Sequence, residues 1–412
     1  MKKFTKLLSL LMAVAMLFTL AACGGGGDTS QGGSSNDGSN NATSDNTGTD
    51  NDSQDTPNSN DGDSSANASD YKVAMITDYG DITDQSFNQT TYEACQAFTQ
   101  ANNLDFTYYK PTGDSTAERV AKVDAAVADG YNIVVMPGYA FAETLQEVVD
   151  LYPNVTFIAL DVSPEDLPAG YTVPSNAYCA YYQEEIPGYL AGYAAVKLGY
   201  RHLGFLGGMA VPAVERYGYG YVQGVDAAAK ELGIADQVTL EYVYGNQFYG
   251  DADITAYMDT WYKTKGVEVV FACGGSIYSS AAESAQNAGA KVIGVDVDQA
   301  GTIDGYYGEG MTVTSAMKGL AATVNNLLTE IVLNDNWAAY SGQVSNLGLV
   351  SATDLDSNYV GLPDSTQWGD GFSQDDYKAL VADIYNGIIT ISNDTSAMPE
   401  HEITVNEYGN IK

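Results

Sequence analysis

A carboxylate, an aromatic ring and an amide fall within one short stretch, Asp78-Tyr79-Gly80-Asp81-Ile82-Thr83-Asp84-Gln85-Ser86-Phe87-Asn88-Gln89. Together they could hold a flat, weakly polar molecule. The carboxylate accepts donors, the Phe87 ring stacks, and Asn88 both donates and accepts. The stretch follows the apolar run Lys72-Val73-Ala74-Met75-Ile76 and precedes an amphipathic segment that continues to Ala101. It reads as the first strand, turn and helix of an α/β domain, with Asp78 at the strand's carboxyl end, where open α/β sheets bind ligands. Ser86 and Gln89 have the spacing of a capping box, which starts the helix at Ser86. The plainer alternative is a capped helix whose Phe87 is core.

The elements that would position such a site alternate along the chain. Short apolar runs at Leu104–Tyr109, Asn132–Met136 and Thr156–Leu160 are separated by helical patterns, and the last ends at Asp161. Near-continuous apolar strands with helices between them predict a parallel sheet covered on both faces. After an irregular, proline-bearing stretch, the alternation restarts with strands at His202–Leu206, Gln237–Tyr242, Val267–Ala272 and Lys291–Val295. The folded part is too long for one ordinary core. Two α/β lobes are therefore expected: residues 71–178 with about 300–340 in the first, and 179–299 with about 341–412 in the second. Ser315 to Leu333 reads as one long helix.

Before the lobes the chain has a different character. Lys2, Lys3 and Lys6 precede an apolar run that is short for a membrane span and ends at Leu20-Ala21-Ala22-Cys23. Residues 1–22 read as an export signal. The ending resembles a bacterial lipobox, in which Cys23 takes lipid and becomes the mature first residue. Residues 23–70 are rich in Gly, Ser, Asn, Asp and Thr, without Lys, Arg or an aromatic. Such composition cannot offset chain entropy by burial, so a flexible tether is expected.

Composition excludes several functions. With 53 acidic against 17 basic side chains and a formal net charge of −36, the chain lacks the cations that nucleic-acid binding needs. Apart from Cys23 it has Cys95, Cys179 and Cys273, with His202 and His401 as the histidines. No C-x-x-C pair occurs, so neither a zinc site nor another cofactor is expected. Whether two of the three cysteines pair is left open by their spacing. A G-x-S-x-G elbow and an H-E-x-x-H pattern are both missing. Gly218, Gly220 and Gly224 do not form G-x-G-x-x-G and lie inside a helical pattern.

The residues also carry a resemblance. Asp78 to Gln89 resembles the D-x-G-x-x-D-x-S-F-N-Q signature of the basic membrane protein family, substrate-binding lipoproteins of ABC importers that include the purine nucleoside receptor type. Gly207-Gly208-Met209 with Tyr217-Gly218-Tyr219, Gly294-Val295-Asp296-Val297-Asp298-Gln299, and Thr314-Ser315-Ala316-Met317-Lys318 resemble later motifs of that family, in order. The last of them is read as a helix start. The resemblance implies a type I periplasmic-binding-protein fold, two doubly wound lobes joined by a hinge, closing on a nucleoside, a purine nucleoside in the receptor type. It implies that Phe87 and Tyr217 face the base from opposite lobes and that Asp296 and Lys318 hold the ribose. Asp78, Asn88, Gly138 and Gly274 are implied as further contacts. It also implies a monomer, anchored by lipid on the outer face of the bacterial cytoplasmic membrane, with ABC permease and ATPase subunits as partners. Two positions depart from the pattern: Glu143 stands where an Asp is expected, and Tyr217 where Phe is usual. A sugar or signal-molecule receptor of the same fold, and an exported nucleoside hydrolase, are the competing functions.

Overall fold

The computed structural model describes residues 70–411. The expected signal segment, Cys23 and the tether lie outside them. No helix among the described residues is long and apolar enough to cross a membrane.

The strands of the first half are β1 (Lys72–Ile76), β2 (Asp105–Tyr109), β3 (Ile133–Pro137), β4 (Thr156–Leu160) and β5 (Ala177–Tyr182). Those of the second half are β6 (His202–Gly207), β7 (Thr239–Tyr244), β8 (Val269–Cys273), β9 (Lys291–Asp296) and β10 (Thr312–Lys318). Three more follow: β11 (Val344–Leu347), β12 (Val360–Gly361) and β13 (Thr404–Asn410). They form two sheets, ordered β11-β5-β4-β3-β1-β2 and β12-β10-β9-β8-β6-β7-β13. Every pairing is parallel except that of β10 with β12. Strand β3 is buried along its whole length, as a strand covered on both faces must be.

The helices are α1 (Phe87–Asn102), α2 (Thr116–Ala128), α3 (Phe141–Val148), α4 (Glu185–Lys197), α5 (Pro212–Glu231), α6 (Ala252–Thr260), α7 (Tyr278–Ala288), α8 (Ala300–Tyr307), α9 (Leu320–Leu328) and α10 (Gln374–Tyr385). Helix α9 packs on α1 through Val324, Leu327, Cys95 and Phe98. Helices α4 and α5 lie backbone to backbone. A Cβ on Gly224 would stand 2.0 Å from the Tyr189 carbonyl oxygen, and one on Gly220 2.1 Å from that of Glu185. These glycines serve helix contact. Cys95, Cys179 and Cys273 are buried free thiols.

The sheet order corrects two expectations. Residues 312–318 form a strand of the second sheet, not a helix start, and the helix begins only at Leu320. The segment is buried almost throughout and begins with β-branched residues, which suits a central strand. The lobe boundaries move with it. Strand β5 and strand β11 belong to the first sheet, whereas α8 and β10 lie with the second. The chain therefore passes between lobes at residues 183–184, at Gly319, and between β11 and β12.

Candidate functional site

The site is built from strand ends. Strand β1 delivers Asp78, whose Oδ1 accepts from the backbone N–H groups of Tyr79 and Gly80, each at 2.7 Å. Gly80 has no room for a side chain, since its Cβ would meet Asn88 Nδ2 at 2.6 Å. Helix α1 starts as expected, with Ser86 at its N-cap, but Ser86 does not cap it. The Asp84 carboxylate does so instead, accepting from the N–H groups of Ser86 at 3.0 Å, Asn88 at 2.9 Å and Gln89 at 3.1 Å. Gln89 turns back to accept from the Gln85 N–H at 3.1 Å. The Ser86 hydroxyl is thereby free to donate to Asp296 Oδ2 in the other lobe, at 2.5 Å.

Equivalent strand ends in the two lobes supply equivalent parts. Gly138 follows β3 with φ 126° and Gly274 follows β8 with φ 140°, both in the region that favours glycine. Asp161 follows β4 with φ 58°, and Asp296 ends β9 with φ 66°. Non-glycine residues seldom adopt this conformation, and here the two aspartates hold it at matching places in the two lobes. Lys318, at the end of β10, stands between them. Its Nζ lies 2.5 Å from Asp161 Oδ2, 3.6 Å from Asp296 Oδ1 and 3.6 Å from Glu184 Oε1. Glu184 is in turn held by Arg216 Nε at 2.7 Å. All five side chains are buried.

Burial sets the protonation chemistry. It pulls the Lys318 ammonium down, but the charges of Asp161, Asp296 and Glu184 outweigh it, and the pKa is raised. Lys318 is a fixed cation. Burial raises the pKa of Asp78, partly offset by its backbone donors. It also raises that of Asp296, against the opposing pull of Lys318 and Ser86. The Lys318 ammonium lies 4.8 Å from the Phe87 ring centroid and 5.7 Å from that of Tyr217, within cation–π range.

One cavity of about 390 Å³ opens among these groups. Asp78, Phe87, Asn88, Gly138, Tyr217, Gly274, Asp296 and Lys318 all line it. Glu143 does not: it is exposed on α3 and accepts from the Thr116 hydroxyl at 2.5 Å. Sequence reasoning missed Asp161 and the rings of Tyr79, Tyr139, Phe248 and Tyr249, which line the same cavity. The signal for Asp161 was present. Ile158-Ala159-Leu160-Asp161-Val162 parallels Ile293-Gly294-Val295-Asp296-Val297, strand end for strand end.

The lobes also touch beside the cavity. Gln299 Nε2 donates to the Gln85 backbone oxygen at 3.1 Å, and the Thr302 hydroxyl donates to Gln85 Oε1 at 3.0 Å. No group of three or more potential metal ligands occurs among the described residues.

A ring, a glycine and an aspartate from each of the two lobes thus surround one cavity. The Bmp family model, ABC transporter substrate-binding protein PnrA-like, matches residues 71–395. The chain belongs to this family. Basic membrane protein B of Borreliella burgdorferi is 25% identical over 304 residues, covering 72% of this chain and 82% of that protein. The ABC transporter nucleoside-binding protein BmpA of Lactococcus lactis is 27% identical over 251 residues, 58% of this chain and 67% of BmpA. Among solved structures, an ABC transporter solute-binding protein of Conexibacter woesei superposes with TM-score 0.60 at 21% identity, over 78% of this chain and 99% of that one. One from Aeropyrum pernix superposes with TM-score 0.59 at 20% identity, over 79% and 88%. These likenesses establish the fold, an α/β solute-binding protein of type I, and the Bmp family is one of transporter substrate-binding proteins.

Proposed function

We propose that this Bmp-family protein is an extracytoplasmic lipoprotein, anchored through Cys23, that binds a nucleoside between its lobes and delivers it to an ABC permease. The observation that carries the reading is the convergence of Phe87, Tyr217, Asp296 and Lys318 on one cavity from four different elements. A planar base gains from two aromatic faces, each worth about 1–3 kcal/mol by analogy with single-strand base stacking. A ribose brings hydroxyl donors that a buried carboxylate accepts. Asp78, whose Oδ1 is held by backbone donors, presents a carboxylate to the cavity that can accept from a base N–H. The name of the Lactococcus BmpA relative agrees with this ligand class.

Calorimetry tests the ligand. The expected order of affinity is inosine, then 2′-deoxyinosine, then hypoxanthine. Removing a hydroxyl that a buried charged acceptor bonds costs about 1–3 kcal/mol, or roughly ten- to a hundredfold. Free ribose saturating the protein at the affinity of inosine would make it a sugar receptor, and turnover of inosine would make it a hydrolase. Anchoring is tested separately: Cys23→Ser is expected to move the protein from the membrane to the soluble fraction, and retention on the membrane would refute the lipid anchor.

A further inference from the structure

The arrangement around Lys318 is asymmetric, although its two flanking aspartates are equivalent parts of the two lobes. The ammonium is in contact with Asp161 at 2.5 Å and stands off from Asp296 at 3.6 Å. Asp296 has only two acceptor oxygens. Oδ2 already accepts from the Ser86 hydroxyl at 2.5 Å, so Oδ1 is the less engaged of the two. A contact ion pair between Lys318 and Oδ1 would take one of its lone-pair directions and compete with a ligand hydroxyl for the other approach. Glu184 holds Arg216 through Oε2, and its Oε1, buried without a partner, stands off from Lys318 at the same 3.6 Å as Asp296, so Asp161 alone is in contact with the ammonium. Asp161 has no other hydrogen bond: Oδ2 holds Lys318 and Oδ1 is buried without a partner. Its backbone is held in the left-handed region, a cost that persists only where the surroundings impose it.

We propose that Asp161 is a positioning residue for ligand binding: it draws the Lys318 ammonium toward the first lobe and so keeps Asp296 Oδ1 open to a ligand hydroxyl. This rests on the reading that Asp296 accepts from the ligand's sugar. It goes beyond that reading in giving a role to Asp161, which that reading leaves unused. Three carboxylates, Asp161, Asp296 and Glu184, against two cations, Lys318 and Arg216, also leave this end of the cavity short of positive charge. The end therefore suits a neutral diol that donates, and disfavours a phosphate or carboxylate.

The test is Asp161→Asn, which keeps the side chain's size and removes its charge. Crystal structures of the parent and the variant, both without ligand, read the lysine directly. Lys318 Nζ is expected to close on Asp296 Oδ1 from 3.6 Å to about 2.8 Å, the length of a charge-assisted bond. Calorimetry with inosine and 2′-deoxyinosine reads the consequence. The variant's preference for inosine is expected to shrink by about three- to tenfold, the span of one hydrogen bond, and the charge-keeping Asp161→Glu is expected to regain part of it. A Lys318 that stays 3.6 Å from Asp296 in the variant overturns the proposal. So does an equal weakening of both ligands, which is what a merely structural Asp161 would give. If the parent binds no nucleoside, the nucleoside reading fails, and the crystallographic comparison still decides the role of Asp161.

Discussion

Individual side chains at this site take more than one duty, and this explains where the residue-level reading succeeded and fell short. Phe87 was legible because it sits one residue inside a helix that begins at a strand end. It is only half buried and stands beneath Lys318. Phe87→Leu keeps the apolar bulk and removes the π face. It is expected to weaken nucleoside binding by about 1–3 kcal/mol with the melting temperature of the free protein little changed; calorimetry and thermal melts check both. Ser86 was read as a cap and is instead a bridge to the other lobe, because Asp84 satisfies the helix N–H groups first. Spacing alone does not choose between two oxygens that can reach the same donors. Glu185 gave no sequence signal. Burial, with repulsion from Glu184 added, lifts its carboxyl from an ordinary 4.5 to about 7. The native state then binds a proton that the unfolded chain releases, so stability is full below the unfolded pKa and falls as pH rises toward 7. Glu185→Gln should therefore raise stability at pH 8 by of order 1–3 kcal/mol and change it little at pH 4, which denaturant melts at the two pH values measure.

At the scale of elements, the α/β alternation was legible because hydrophobic runs of strand length are separated by helical periods. What failed was β10. Thr312-Val313-Thr314-Ser315-Ala316-Met317-Lys318 has no alternation, since both its faces are covered, and its Ala and Met suit a helix equally well. Tertiary burial decided the matter. The parallel between the lobes offered the missing clue, for β10 lies beside β9 as β5 lies beside β4. Helices α4 and α5 show the reverse case: Gly218, Gly220 and Gly224 were read as lying inside a helix, as they do, and what the sequence did not announce is that Gly220 and Gly224 are the packing surface against α4. Gly224→Ala drives a Cβ into the Tyr189 carbonyl oxygen, 2.0 Å away. It should cost about 1–3 kcal/mol by overpacking. Gly305→Ala on α8 meets nothing within 4 Å and should stabilise by about 0.5–1 kcal/mol by restricting the unfolded chain. Equilibrium unfolding of the two variants is expected to move in opposite directions, and destabilisation by both would show that α8 has no room for the extra methyl group.

For the whole molecule, the lobe boundaries were only partly legible because each sheet is assembled from segments distant in sequence. The return of β11 to the first sheet and of β12 to the second reflects pairing, which no local pattern announces. The same discontinuity makes closure a property of the whole chain. Lobe contact outside the cavity runs through Gln85, which holds φ 56° and accepts from Gln299 through its backbone and from Thr302 through its side chain. Neither Gln85 nor Thr302 lines the cavity. They influence ligand affinity only through the balance of open and closed forms. Gln299 is a poor place to test this, since its Oε1 also accepts from Val295 N–H and its own N–H donates to Ser315. Thr302→Val is cleaner, because it keeps the shape and deletes one lobe-to-lobe bond. A net hydrogen bond of about 0.5–1.5 kcal/mol predicts ligand dissociation faster by roughly two- to tenfold. Association should change little, because the bond forms only after the ligand has entered. Stopped-flow kinetics with inosine measures both rates, and small-angle scattering of the ligand-free variant should report a larger radius of gyration than the parent. Unchanged dissociation together with an unchanged radius would mean that the ligand cavity and hinge alone hold the lobes together, and that the Gln85 contact follows closure without contributing to it.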